Sequence, residues 1–168
     1  KRQILKITFP AIVSVAFEPV AGLVDTAMVG HRSSQWLAGL GMTVTIMSSA
    51  AWIFNFLVYT VTARVAQAMG EGNREEAYRQ IRLALGGASG LGLVSAALLL
   101  CLESALLQGV MGASSELARS TSDYYKIRAL GVPFVLLVTA LIGIMRGLQR
   151  VSHALLLIGL ITGVNILI

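Results

Sequence analysis

Charge is scarce in this chain. Only 12% of its 168 residues are Asp, Glu, Lys or Arg, about half the share of an ordinary soluble domain, so they cannot clothe a surface that faces water all round. Cysteine is almost missing: Cys101 stands alone in an apolar run, which excludes a disulfide framework and any Cys/His metal spacing. No helical His pair flanks a Glu, no Gly-x-Ser-x-Gly elbow occurs, and no second Asp lies within an apolar span. Neither a metal site nor an enzyme is therefore expected. What abounds is apolar, at 56% of residues, a surplus that requires lipid around the helices rather than a larger core.

The net charge of +5 raises the question of nucleic acid. Its distribution answers against that partner, because Lys and Arg cluster in short groups between uncharged runs, as loop anchors at a bilayer surface do. Lys1, Arg2 and Lys6 ahead of an apolar stretch imitate a signal peptide, with Ser14-Val15-Ala16 as a cleavage tripeptide. The apolar character continues to Val29 and further spans follow, so a retained first helix is the better reading.

A hydrocarbon core is crossed by about 20 predominantly apolar residues of helix. Uncharged runs over Ser33–Ala63, Leu83–Leu102 and Ala129–Met145 meet or approach that length, and Ile7–Gly30 carries only Glu18 and Asp25. The sequence thus predicts an all-α, polytopic integral-membrane bundle with helices roughly over 4–31, 36–69, 74–107 and 115–147. A fifth span starts at 150 and is still apolar at Ile168, so residues 1–168 are expected to be an incomplete N-terminal lobe. Gly70 and Gly72 break one helix, and Asn73 with Glu76 three positions on resembles a capping box for the next. Ser114 or Ser115 can start the following one. Gly86 and Gly90 form a small-xxx-small face suited to close helix packing.

Glu18 and Asp25 are acids within an apolar span, where each costs ~2.5–3.5 kcal/mol at mid-bilayer. Seven residues apart, they share one helix face about 10 Å apart along the axis. They can carry protons into a shared polar cavity, or merely pair with bases on a neighbouring helix. Pro10 and Pro19 flank them, and Pro19 removes an intrahelical bond, giving either a bendable helix or a static kink. Asn55, Tyr59 and Thr62 recur at four and three residues as a polar stripe, which either lines a cavity or acts as interhelical glue. His31 and His153 fit interfacial positions.

Several segments together resemble one family. Gly22-Leu23-Val24-Asp25-Thr26-Ala27-Met28-Val29-Gly30-His31 is similar to the first-helix motif of MATE (multidrug and toxic compound extrusion) transporters, in their DinF-like branch. Pro10 and Pro19 stand where that branch has prolines. Thr62-Ala63 through Gln67-Ala68-Met69-Gly70-Glu71-Gly72-Asn73 resembles its second-helix exit, and Tyr124-x-x-Ile127-Arg128-x-x-Gly131-x-Pro133 its fourth-helix entrance, followed by Arg146-Gly147. The resemblance implies two six-helix lobes, twelve helices in all, with a C-terminal lobe as partner and a small-molecule substrate between the lobes. It also implies export of amphipathic, often cationic compounds in exchange for H⁺ or Na⁺, with no cofactor beyond that ion. Asn165 fits an Asn that the family's fifth helix often carries, and Glu18 has no universal counterpart. A lipid-linked precursor flippase of the same superfamily, or a scaffold subunit that transports nothing, are the other readings. The implied location is a cell membrane, with an organelle envelope as the alternative.

Basic residues set the orientation. Lys1, Arg2, Lys6, Arg64, Arg74, Arg79, Arg82, Arg146 and Arg150 fall on one side, and Arg32, Arg119, Lys126 and Arg128 on the other. Nine against four places the N-terminus, Asn73 and Arg146 in the cytoplasm and Gly112 outside. A Gly112→Cys variant of the full-length protein is expected to react with an impermeant thiol reagent only from outside, and Asn73→Cys only from the cytoplasm.

Overall fold

The computed structural model describes residues 34–150 together with residues 22, 23, 26, 27 and 30. Over residues 34–150 the chain forms α1 (Ser34–Ile53), α2 (Phe56–Gly70), α3 (Arg74–Cys101), a π-helical segment (Ala105–Val110) and α4 (Ser115–Gly147). There is no strand among the described residues. The stretches Ser34–Gly70, Arg74–Cys101 and Ser115–Gly147 are long and apolar enough to cross a membrane, yet at most 33% of each apolar window is buried within the bundle. Helices that are apolar on faces their neighbours leave bare are suited to lipid or to further helices.

α4 is the hub against which α1, α2 and α3 all pack. Its buried residues include Ala118, Thr121, Tyr125, Ala129, Val132, Leu136, Ala140, Gly143 and Gly147, which recur at steps of three and four and so form one continuous stripe. Small residues dominate it, and they let neighbouring backbones approach. A Cβ on Gly147 would lie 2.8 Å from Val65 Cβ and 3.0 Å from the Thr62 carbonyl oxygen, and one on Gly143 would lie 3.1 Å from the Val58 carbonyl oxygen. These contacts, with Gly39 against Thr121, show α1 and α2 running parallel to α4. α3 runs antiparallel: Gly92 faces Pro133, and the Tyr125 hydroxyl donates to the Leu99 carbonyl at 3.0 Å. That bond ties α4 to a carbonyl in the last turn of α3.

Among the described residues, the close packing of α3 falls on a glycine other than those expected. Gly86 and Gly90 have no neighbour within 4 Å of an added Cβ among the described residues, whereas an added Cβ on Gly92 would come within 2.5 Å of Pro133 Cα. Two residues turn a helix by about 200°, so once Gly92 faces α4, Gly90 must face away. Pro133 sits inside α4, and only a residue without a side chain leaves room opposite its ring.

Helix ends follow local rules. Gly72 at φ 69° allows Gly72 N–H to reach Met69 O and Asn73 N–H to reach Ala68 O, a Schellman close. Asn73 Oδ1 then accepts from Glu76 N–H at 3.0 Å. Only half of a capping box forms, because the Asn73 N–H is already committed to Ala68, and the Glu76 carboxylate instead holds Arg79 and Gln80. Ser114, not Ser115, caps α4 by accepting from Leu117 N–H.

The stretch expected as one helix over 36–69 is interrupted at Phe54 and Asn55. There Phe54 N–H bonds to Ala51 O, Asn55 N–H to Trp52 O and Leu57 N–H to Phe54 O. These three-residue bonds keep the backbone satisfied without water, as the hydrocarbon region demands. The helix expected over 74–107 likewise ends at Cys101 and passes into the wider π-helical turn, closed by Met111 N–H on Leu106 O. The tight seam makes a prediction: Gly147→Leu is expected to destabilise the full-length protein by about 1–3 kcal/mol through overpacking, read as a lowered thermal midpoint in detergent.

Candidate functional site

The interruption in the α1–α2 rod opens a cleft beside it. Ala51, Trp52, Asn55, Val58, Tyr59, Val135, Thr139, Ile142 and Arg146 line about 410 Å³ between that rod and α4. Asn55 and Tyr59 stand one turn apart on one wall, and Tyr59 is 69% exposed. Thr139 and Arg146 stand two turns apart on the other, since seven residues bring a helix back to nearly the same face. The Thr139 hydroxyl donates to its own helix at Val135 O, and its oxygen retains the capacity to accept. Arg146 is exposed and makes no ion pair among the described residues.

Thr62 has a different place. Its hydroxyl donates across the helix seam to the Gly143 carbonyl at 3.0 Å, so it ties α2 to α4 and does not line the cleft. The polar stripe read from sequence therefore divides: Asn55 and Tyr59 face the cleft and Thr62 is interhelical glue. Glu18, Asp25, Pro10, Pro19 and Asn165 lie outside the described residues, as do His31 and His153.

A second groove of about 300 Å³ continues the first along the same seam, sharing Ala51 and Val135 and lined also by Met47, Ser48, Ile127, Arg128, Gly131, Val132 and Leu136. The two make one furrow with Arg128 near one end, Arg146 near the other and no acid among its lining residues. Seventeen uncharged residues separate these arginines, about 25 Å at 1.5 Å per residue, which is close to the thickness of a hydrocarbon core. The furrow thus spans membrane depth. No group of three or more His, Cys, Asp or Glu able to hold a metal occurs among the described residues.

The MatE family profile matches residues 10–168. The chain belongs to the MatE family. It is 28% identical over 165 residues to Protein DETOXIFICATION 44, chloroplastic, of Arabidopsis thaliana, covering 91% of this chain and 32% of that protein. To Multidrug resistance protein PmpM of Pseudomonas aeruginosa it is 30% identical over 161 residues, 93% of this chain and 32% of that protein. Its fold matches a MOP superfamily transporter from Pyrococcus furiosus, noted for the reverse polarity of its binding pocket, with a TM-score of 0.87 at 21% identity, covering 98% of this chain and 36% of that one. The chain therefore spans about a third of the length of its MatE relatives, and it shares their all-α, multi-pass membrane architecture.

Sequence reasoning read 129–145 as a plain span and missed Thr139 and Arg146 as a pair on one face. Their seven-residue spacing was the signal, and it parallels the spacing of Glu18 and Asp25. In the full-length MatE protein, Tyr59→Cys is expected to react readily with a water-soluble maleimide while Thr62→Cys, held against Gly143, reacts slowly. Mass spectrometry of the labelled peptides would read both rates.

Proposed function

We propose that this MatE chain forms part of a secondary active antiporter that exports amphipathic, often cationic organic compounds in exchange for H⁺, with Na⁺ as the alternative ion. The observation that carries this reading is the interrupted α1–α2 rod beside a cleft of mixed polarity at membrane depth. Broken helices and polar walls persist inside bilayers where they line a path for substrate or ion. The apolar rings of Trp52 and Tyr59 offer stacking surface, and Asn55 with Thr139 offers adaptable hydrogen bonds. Those features suit amphipathic compounds of varied shape. The names of the relatives, multidrug resistance and detoxification, agree with that class.

Coupling is assigned to Asp25, with Glu18 sharing the proton or contacting a cationic substrate. Protonation removes the cost of holding a charge in a low-dielectric cavity and weakens the hold on a cation, so proton entry expels substrate. Pro19 gives the first helix a place to bend as the charge changes. A C-terminal lobe completes the cavity, and the whole protein sits in a cell membrane with a cytoplasmic N-terminus, or in an organelle envelope as for the chloroplastic relative.

One observation favours a second reading. The furrow carries Arg128 and Arg146 and no acid among its described lining residues, a polarity that suits an anionic cargo such as a lipid-linked pyrophosphate. The similar transporter of reversed pocket polarity makes this a reading to test. In the full-length protein in proteoliposomes, Asp25→Asn is expected to abolish export of a cationic dye driven by a pH gradient, with expression near normal. Arg146→Gln is expected to leave that export unchanged or faster. Parental dye export by Asp25→Asn would remove Asp25 as the obligatory proton carrier. Loss of transport in Arg146→Gln, with an anionic cargo moved by the parent, would favour the flippase.

A further inference from the structure

A second cleft lies at the opposite end of the bundle, where α3 passes through the π-helical segment towards α4. Leu100, Cys101, Glu103, Ser104, Leu107, Gln108, Ala118, Arg119 and Ser122 enclose about 350 Å³. Its wall joins two kinds of surface. Leu100, Leu107 and Ala118 are apolar, and Glu103 and Arg119 bring opposite charges. The Glu103 side chain is only 19% exposed and forms an ion pair with Lys126 at 3.8 Å, close enough for charge attraction but too long for a hydrogen bond. No donor reaches that carboxylate within hydrogen-bond distance among the described residues. A half-sheltered carboxylate with open lone pairs favours a compact cation that can donate.

The depth of the cleft selects the ligand. The uncharged run through α3 stops at Leu102, so Glu103 stands just beyond the hydrocarbon edge, and Arg119, which lines the same cleft, stands in the headgroup layer with it. Tyr124 on α4, partly exposed with Arg128 over its ring, lies near that edge, where aromatic residues collect. We propose that this cleft binds the headgroup of an aminophospholipid such as phosphatidylethanolamine, its ammonium on Glu103 and its phosphate on Arg119. Ser104, Gln108 and Ser122 supply neutral hydrogen-bonding groups between the two charges. Choline headgroups lack the N–H donors that Glu103 requires, and glycerol headgroups lack the cation. The inference rests on the membrane position of the fold and not on which substrate the protein exports.

Cys101 is exposed and lines the same cleft, so its alkylation reports occupancy. The test uses the full-length protein in nanodiscs of phosphatidylcholine, with or without phosphatidylethanolamine or phosphatidylglycerol, and follows maleimide addition to the Cys101 peptide by mass spectrometry. Phosphatidylethanolamine is expected to slow labelling about threefold, the scale of partly exposed ion pairs, and the other lipids are expected to leave it unchanged. Glu103→Gln and Arg119→Ala should each erase the protection. Arg119→Lys keeps a phosphate-binding cation and should retain most of it, which a folding defect would not allow. Equal labelling rates in all three bilayers would overturn the proposal. Protection reproduced by water-soluble phosphoethanolamine alone would overturn the lipid assignment, leaving a site for a free zwitterion.

Discussion

Everything described in this bundle depends on how closely α4 can be approached. In lipid, apolar surface gives helices little reason to associate, so close van der Waals fit and a few interhelical hydrogen bonds must hold them. α4 meets that demand with small residues on one stripe, Ala118, Ala129, Ala140, Gly143 and Gly147, each buried. Thr62 adds a hydroxyl bond to Gly143 and Tyr125 adds one to Leu99. With α1 and α2 seated in parallel along one flank and α3 antiparallel along another, the relative depth of every polar side chain is set by these contacts.

The same seam creates the space that function needs. The furrow runs beside the glycine contacts, with α1 held to α4 at Gly39 and α2 at Gly143 and Gly147. The interruption at Phe54 and Asn55 lies between the Gly39 contact of α1 and the Gly143 contact of α2. Its three-residue bonds have poorer geometry than those of an α-helix, so this is the place along the rod where a change in helix direction costs least. At the other end the π-helical turn widens the exit of α3 and brings Glu103 and Arg119 around a cleft of their own.

Much of this was legible from residue order. Uncharged runs bounded by charged residues pointed to the helices, since only helices satisfy their backbone in lipid. Gly72 with Asn73, and the Ser114-Ser115 pair, marked helix ends because their chemistry is local. The stripe of Asn55, Tyr59 and Thr62 was visible as a spacing. Its division was not, because whether a hydroxyl lines a cleft or bonds a neighbour depends on what stands opposite, and Gly143 is 81 residues away from Thr62. Gly86 and Gly90 have the spacing of a packing face and Gly92 has none, yet Gly92 meets Pro133.

By itself the sequence determined that this is a helical membrane protein and which family it resembles. Hydropathy, charge placement and capping act over a few turns of one chain segment, and each can be read without a partner. The tertiary structure alone decided which glycines carry the packing, that the 36–69 stretch is broken, and that Arg146 and Thr139 share a cleft with Asn55 and Tyr59. These are matters of which faces meet. A helix presents all its faces equally in its sequence, and only the fit of side chains against α4 selects among them.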